Sequence, residues 1–466
     1  MERSTHLARH MKSKTLFLMF LPILCSLMSP VSSGQARAQD QTFGHDLPAQ
    51  PLTLEGAIAY GLAYNQTLQS AGKDIEAAKQ NVKQAQAGFL PKLDTGYSFS
   101  SWRFDPIAKF ENVRFQTNEN PLNLWQAQIT QPLFTGFALT GHYRNAQLGR
   151  DLAKYQHDEV RLNLVRNIQH AFLRTLLAEK ILQVQRDTIK QLEVQRRNAE
   201  AYHKQGLTPR NDVLKADVAL ADARQKERAA AKQVTVLRAQ VNQLLDLELD
   251  TQLVLSEWDK APDPPPPLAD WQLLYDRAEK QRPEYLAIQA AILQTEEGKR
   301  VAQSRWYPQA AIVGSYYRQG SDFLANRNDF SNEENAAIGV KVDWNWFEGG
   351  KTRAAVNEHQ YRRQALEERK RDLLRQMHLQ VKDACEQLQV SRTNLETARV
   401  AIQQARENER MTISQYREQV VVFSEVLDAQ VYLTQAQVNY YEALFGMQLA
   451  QADLDRAVGG AQWDGP

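Results

Sequence analysis

The sequence predicts a mixed α+β membrane protein, mostly α-helical, in which long coiled-coil helices carry a few strands. Those strands can complete a membrane barrel only if several chains share it. Three observations predict this: an N-terminal leader, a chain written twice around Pro91 and Pro308, and strands that alternate between apolar and polar residues.

The leader comes first. Arg3, Arg9, Lys12 and Lys14 precede an apolar run from Leu16 to Met28, and Ala36-Arg37-Ala38 offers small residues at both cleavage positions. Residues 1–38 are thus predicted to be a secretory signal peptide cut before Gln39, with Met1 or Met11 as the start. Cys25 lacks the small preceding residue that lipoprotein processing needs. The remaining chain carries 51 Lys and Arg against 54 Asp and Glu, a net charge of −3, which is no footprint for nucleic acid. Cys385 stands alone beyond the leader, so no intrachain disulfide can form. A mean hydropathy of −0.55 argues against a bundle of membrane-spanning helices.

The duplication sets the domains. Aligning Pro91 with Pro308 pairs Asn65-Gln66-Thr67-Leu68 with Arg282-Pro283-Glu284-Tyr285. Downstream, Phe134 pairs with Phe347, Gly136 with Gly349, Tyr202 with Tyr416, and Val213-Leu214 with Val426-Leu427. Order and spacing hold throughout, which is the mark of a tandem repeat. The first repeat covers 39–258 and the second 272–460, with a Pro-rich linker at 259–271 and a tail at 461–466.

Each half reads helix, strand, strand, long helix, break, helix. Leu54 to Phe89 and Trp271 to Trp306 are leading helices, each broken once, near Asn65 and Pro283. Pro91 and Pro308 then end a helix and start extended chain, because proline lacks the N–H and fixes φ. Strands follow with Leu93, Thr95, Tyr97 and Phe99 on one side, at Leu122 to Phe134, at Ala310 to Gln319, and at Ile338, Val340, Val342, Trp344 and Trp346. The long helices run from Phe137 to Gln205 and from Lys351 to Glu418, each roughly 100 Å. Leu374, Val381, Leu388, Leu395 and Ile402 recur every seven residues, with Ala384, Ser391, Ala398 and Ala405 beside them, a large-and-small coiled-coil seam. Ile168, Leu182, Ile189, Ala171 and Ala178 hold the matching frame in the first half, with Thr175 as a lapse.

The strands admit two readings. One is a four-stranded antiparallel sheet covered by helices. The other is a membrane sheet, favoured by the leader, by strand lengths of about 10 to 13 residues and by aromatics near the strand ends. Four strands cannot close around an interior, and an open edge is not tolerated in lipid, so a membrane sheet requires several chains in one barrel.

The residues also resemble a known family. The stretch "PLTLEGAIAYGLAYNQTLQSAGKDIEAAKQNVKQAQAGFLPKL", then "QPLFTGF", "WNWFEGGKTRAAV" and "VLDAQVYLTQAQVNYYEAL", are similar in order to the signatures of TolC-like outer-membrane efflux proteins. The resemblance implies a homotrimer in the outer membrane lipid. Its 12-stranded transmembrane β-barrel, four strands per chain, would continue a long α-helical coiled-coil barrel, the periplasmic tunnel. It further implies an inner-membrane transporter and a periplasmic adaptor as partners, in tripartite efflux or type I secretion. A periplasmic adaptor and a soluble helical scaffold are the alternatives.

No HExxH, paired CxxC, GxSxG or P-loop is present, so neither an enzyme nor a cofactor or metal site is expected. "HDE" at 157–159 and "EERKRDLLR" at 367–375 read as solvated helix faces. At the helix turns, "QGLTPRND" holds Gly206 and Pro209, a natural break, whereas "EQVVVFSE" has neither and reads as a barely distorted bend. By the resemblance, Glu425 and Asp428 match acidic rings at the periplasmic constriction. Tyr416 and Asp212 match a pair that latches the closed state through a phenol-to-carboxylate hydrogen bond. Val421 stands where a basic latch residue is usual and Gln419 where a glycine is, which weakens the expected closure.

Overall fold

The structure, a computed structural model, describes residues 50–111, 113–256 and 271–460. The predicted leader (1–38), the linker up to residue 270 and the tail (461–466) lie outside the described residues. Trp271 does not belong to a linker, since it opens a helix.

Two halves repeat the same elements. Helices α1 (Leu54–Tyr64) and α2 (Gln66–Ala87) lead the first, α5 (Trp271–Gln281) and α6 (Pro283–Gln303) the second. The predicted breaks are real and have a cause. Buried Asn65 ends α1 in an extended conformation, and its side chain accepts from Thr67 N and Leu68 N to cap α2. Arg282 holds the equivalent place with Pro283 at the first position of α6. Between α2 and the first long helix lie β1 (Lys92–Ser100), a hairpin of β2 (Ile107–Phe110) and β3 (Val113–Gln116), and β4 (Leu122–Phe134). The long helices are α3 (Ala138–Lys204) and α7 (Lys351–Arg417), each of 67 residues, and they return as α4 (Arg210–Leu244) and α8 (Phe423–Ala457), each of 35. Strands β5 (Gln309–Gly320) and β6 (Glu334–Asp343) complete the set.

The β2–β3 hairpin escaped the sequence reading because four-residue strands hold too little alternation to register. Trp344 and Trp346 were assigned to the last strand. They fall beyond it, their rings tilted against each other with centroids 4.6 Å apart and Trp344 Nε1 donating to Trp306 O. Each long helix begins on a left-handed residue. The first half uses Gly136 (φ 61) and Phe137 (φ 72), the second Gly349 (φ 58) and Gly350 (φ 84), so the sharp sheet-to-helix turn is built twice.

The heptad residues form the core as expected. Val381, Leu388 and Leu395 are buried with Ala384, Ser391 and Ala398 beside them, and one cluster runs through Met377, Cys385 and Leu454. A second cluster gathers Ile168, Phe172, Val241 and Leu245 around α1. Thr175, the lapse in the first seam, is fully buried and satisfied by donating to Ala171 O, 2.7 Å away. Among the described residues no helix is long and apolar enough to cross a membrane.

Candidate functional site

The four long strands form one antiparallel sheet in the order β1-β4-β5-β6. Paired residues in such a ladder share a face. The register therefore puts Leu93, Tyr97, Ile129 and Ile338 on one side, and Lys92, Asp94, Gln128 and Lys341 on the other. Neither face of β6 is covered within the chain: Ile338, Val340 and Val342 are 83%, 68% and 62% exposed, and every residue of the strand is open. That excludes a sheet sealed under helices. Aromatics gather at both ends. Tyr97, Trp125 and Phe323 lie within 4.7–5.6 Å of one another at the loop end, and Phe137 meets Tyr307 at 5.9 Å at the helix end. An apolar band between two aromatic girdles, with a polar opposite face, is what a lipid-spanning strand set requires.

At the far end of the helices, both returns are full breaks. Gly206 N bonds His203 O and Leu207 N bonds Tyr202 O; Gln419 N bonds Tyr416 O and Val420 N bonds Gln415 O. The same capping pattern thus closes both helices, with Gly206 (φ 76) and Gln419 (φ 59) left-handed. The bend expected at 418–425 is corrected to a turn, because the backbone bonds that close it do not need glycine. The equivalence keeps the offset that pairs Val213 with Val426, so Tyr416 corresponds to His203 rather than to Tyr202. Glutamine in this conformation is strained, so Gln419→Gly is expected to stabilise the turn by about 0.5–1 kcal/mol. Slower hydrogen exchange at Val420 and Val422 would show it.

Tyr416 is buried at this tip, its ring 5.9 Å from Tyr202 and 5.3 Å from Phe423. Val421 packs against the same cluster, so it adds apolar contact at the tip. Asp212 lies buried in the first turn of α4. The expected hydrogen bond between the two is not formed. Tyr416 Oη is buried beside the Thr208 hydroxyl instead of bonding the Asp212 carboxylate. Burial, and then the charge of Asp212, pushes the Tyr416 phenol up to about 12. Raised acids favour the folded state while protonated, so this contribution holds below pH 10 and fades as pH rises through 12. Glu425 and Asp428, three residues apart on α8, are exposed on the side away from buried Phe423, Val426 and Ala429.

A further polar cluster was invisible in the sequence. Arg282 Nη2 bonds Glu284 at 3.0 Å, Arg456 Nη2 bonds the same carboxylate at 2.6 Å, and Arg282 Nη1 reaches Gln380 at 2.7 Å. Arg456 Nε donates to Asn163 of α3, so four helices meet here. Burial alone would raise Glu284, but the Arg282 guanidinium holds it below the ordinary value. Glu159 goes the other way, pushed up by burial and then by Glu284. The "HDE" stretch is therefore not wholly solvated: its third residue turns toward this cluster. Glu159→Gln should gain a few tenths of a kcal/mol at pH 7. The gain should vanish below the ordinary glutamate value, where wild-type Glu159 is itself protonated, as denaturation at both pH values would report.

Residues 60–246 and 274–460 both match the model of the outer membrane efflux protein family. The chain belongs to that family. Solved structures agree on the fold. The outer-membrane channel OprN is 15% identical over 88% of this chain and 90% of that one, with a TM-score of 0.76. VceC of Vibrio cholerae is 15% identical over 88% and 96%, at 0.73. The CmeC outer membrane channel of Campylobacter jejuni is 15% identical over 87% and 85%, at 0.74. No curated protein sequence matches the chain. As a family member it is an efflux channel of the outer membrane, with its helical part reaching into the periplasm.

Proposed function

We propose that three copies of this efflux channel share one twelve-stranded barrel and act as a passive exit duct. An inner-membrane transporter would supply the energy and a periplasmic adaptor would join the two, with no covalent chemistry in the duct. One observation carries the shared barrel: a sheet of only four strands, apolar on one face, ends in the unpaired edges of β1 and β6. Its tandem halves, 39–258 and 272–460, would contribute two strands and one helical hairpin each.

The same proposal makes Glu425 and Asp428 the constriction. Both are exposed on one side of α8 beside the turn, and threefold symmetry would bring six carboxylates together. Tyr416 and Asp212 would bias closure through their buried tip cluster rather than through a direct bond. Divalent cations added from the periplasmic side should block conductance in planar bilayers. Glu425→Ala with Asp428→Ala should weaken that block at least about tenfold while trimer yield stays unchanged. An unchanged block would place both acids on the outer surface.

A further inference from the structure

The outer edges of β1 and β6 carry matching charge patterns. On the polar face near the helix end, β1 bears Lys92 and Asp94, and β6 bears Lys341 and Asp343. Within the chain each lysine only leans on its own strand's acid, at 2.8 Å and 3.0 Å, with all four side chains exposed. Strand β1 leaves the helix end with Lys92 first, and β6 returns to it with Asp343 last. Antiparallel pairing of β6 with β1 of a second copy would therefore bring the two charge pairs side by side.

We propose that β6 of one chain pairs with β1 of the next in the register that sets Lys92 against Asp343 and Asp94 against Lys341. This rests on the shared-barrel reading and specifies its seam. A one-residue slip would turn Lys92 onto the apolar face, which lipid forbids. A two-residue slip keeps the faces but sets Lys92 against Lys341 in one direction, or Asp94 against Asp343 in the other, and like charges directly opposite destabilise a ladder. Only the proposed register alternates the four charges. It also aligns the remaining residues sensibly: Gly96 with Gly339 and Ser98 with Ala337 on the polar face, Leu93 with Val342 and Tyr97 with Ile338 on the apolar one.

Barrel geometry points to the same register independently. The ladder runs from Leu93 through Ile129 and Gly314 to Ile338, and the seam then reaches Tyr97 of the next copy. That path climbs from position 93 to position 97 while crossing four strand spacings, a tilt of ~35°, inside the range of closed barrels. The shallower slipped register gives ~20°, well outside that range, whereas the steeper one gives ~46°, at its upper margin, and is opposed by Asp94 facing Asp343.

Cysteine pairs in the full-length chain test the seam. Ser98→Cys with Ala337→Cys should be directly opposed, about 5 Å apart at Cα, whereas Ser98→Cys with Gly339→Cys or with Asn335→Cys should lie about 7–8 Å apart, beyond disulfide reach. After oxidation of the membrane-inserted protein, the first pair should give at least about tenfold more covalently linked chains than either offset pair. Single-cysteine variants set the background, since Cys385 is buried. Preferential linking of an offset pair, or a trimer in which no pair links, would overturn the register and leave the shared barrel standing. A detergent-solubilised monomer with intact β-content would instead overturn the shared barrel. In a second arm, Asp343→Lys should lower trimer yield and Lys92→Asp in the same chain should restore it; no restoration would count against the pairing.

Discussion

Glu284→Gln is expected to cost the folded protein about 3–5 kcal/mol, because it strands two arginines against each other. The side chains of Arg282, Glu284 and Arg456 are only 3%, 13% and 19% exposed, so water cannot take over the lost charge. Glutamine keeps the shape and one acceptor, which isolates the charge as the cause. A lowered denaturation midpoint would show the loss, and adding Arg456→Met should recover part of it by removing the second cation. The pH dependence has a definite sign. Glu284 sits below its ordinary value in the folded state, so its contribution is present above about pH 4.5 and lost as pH falls through the folded value. The wild type should therefore lose stability on acidification, while Glu284→Gln should lose less. Equal acid sensitivity in both proteins would remove Glu284 from the account.

Ile338→Arg should impair membrane insertion more than any change nearer the strand ends. Ile338 lies mid-strand on the apolar face of β6, where a cation meets lipid at depth for about 2–4 kcal/mol in each strand. Val342, one residue from the end of β6, lies toward the interface, where the same change should cost about 0–1 kcal/mol. Ala337→Arg serves as the control, since its neighbouring position turns it to the polar face. The yield of folded protein in outer-membrane fractions should fall in the order Ala337→Arg, Val342→Arg, Ile338→Arg. If Ala337→Arg and Ile338→Arg behaved alike, the two faces would be wrongly assigned.

Features that repeat at short range were legible in the sequence. Prolines at 91 and 308, the seven-residue seams of α7 and the alternation through Ile338, Val340 and Val342 act over a few residues, and each element formed where its pattern lay. The tip was harder to read. Gln419 adopts a left-handed conformation that favours glycine, and three valines rather than glycine or proline follow it, so the local sequence carried no stop signal while the capping bonds imposed one.

What the sequence determined by itself is the repeat, the faces of the strands and the seams of the helices, because periodicity decides which side of an element is apolar. Only the tertiary structure decided which groups separated by long stretches of chain meet. Arg456 and Asn163 are brought to Arg282 and Glu284 by the return of α8 along α3, and Tyr416 meets Tyr202 across two hairpins. A single charge or phenol carries no period, so its partner is chosen by packing: the large and small residues of the seams set how far each long helix slides along its neighbour, and that slide fixes which polar groups face each other at the ends.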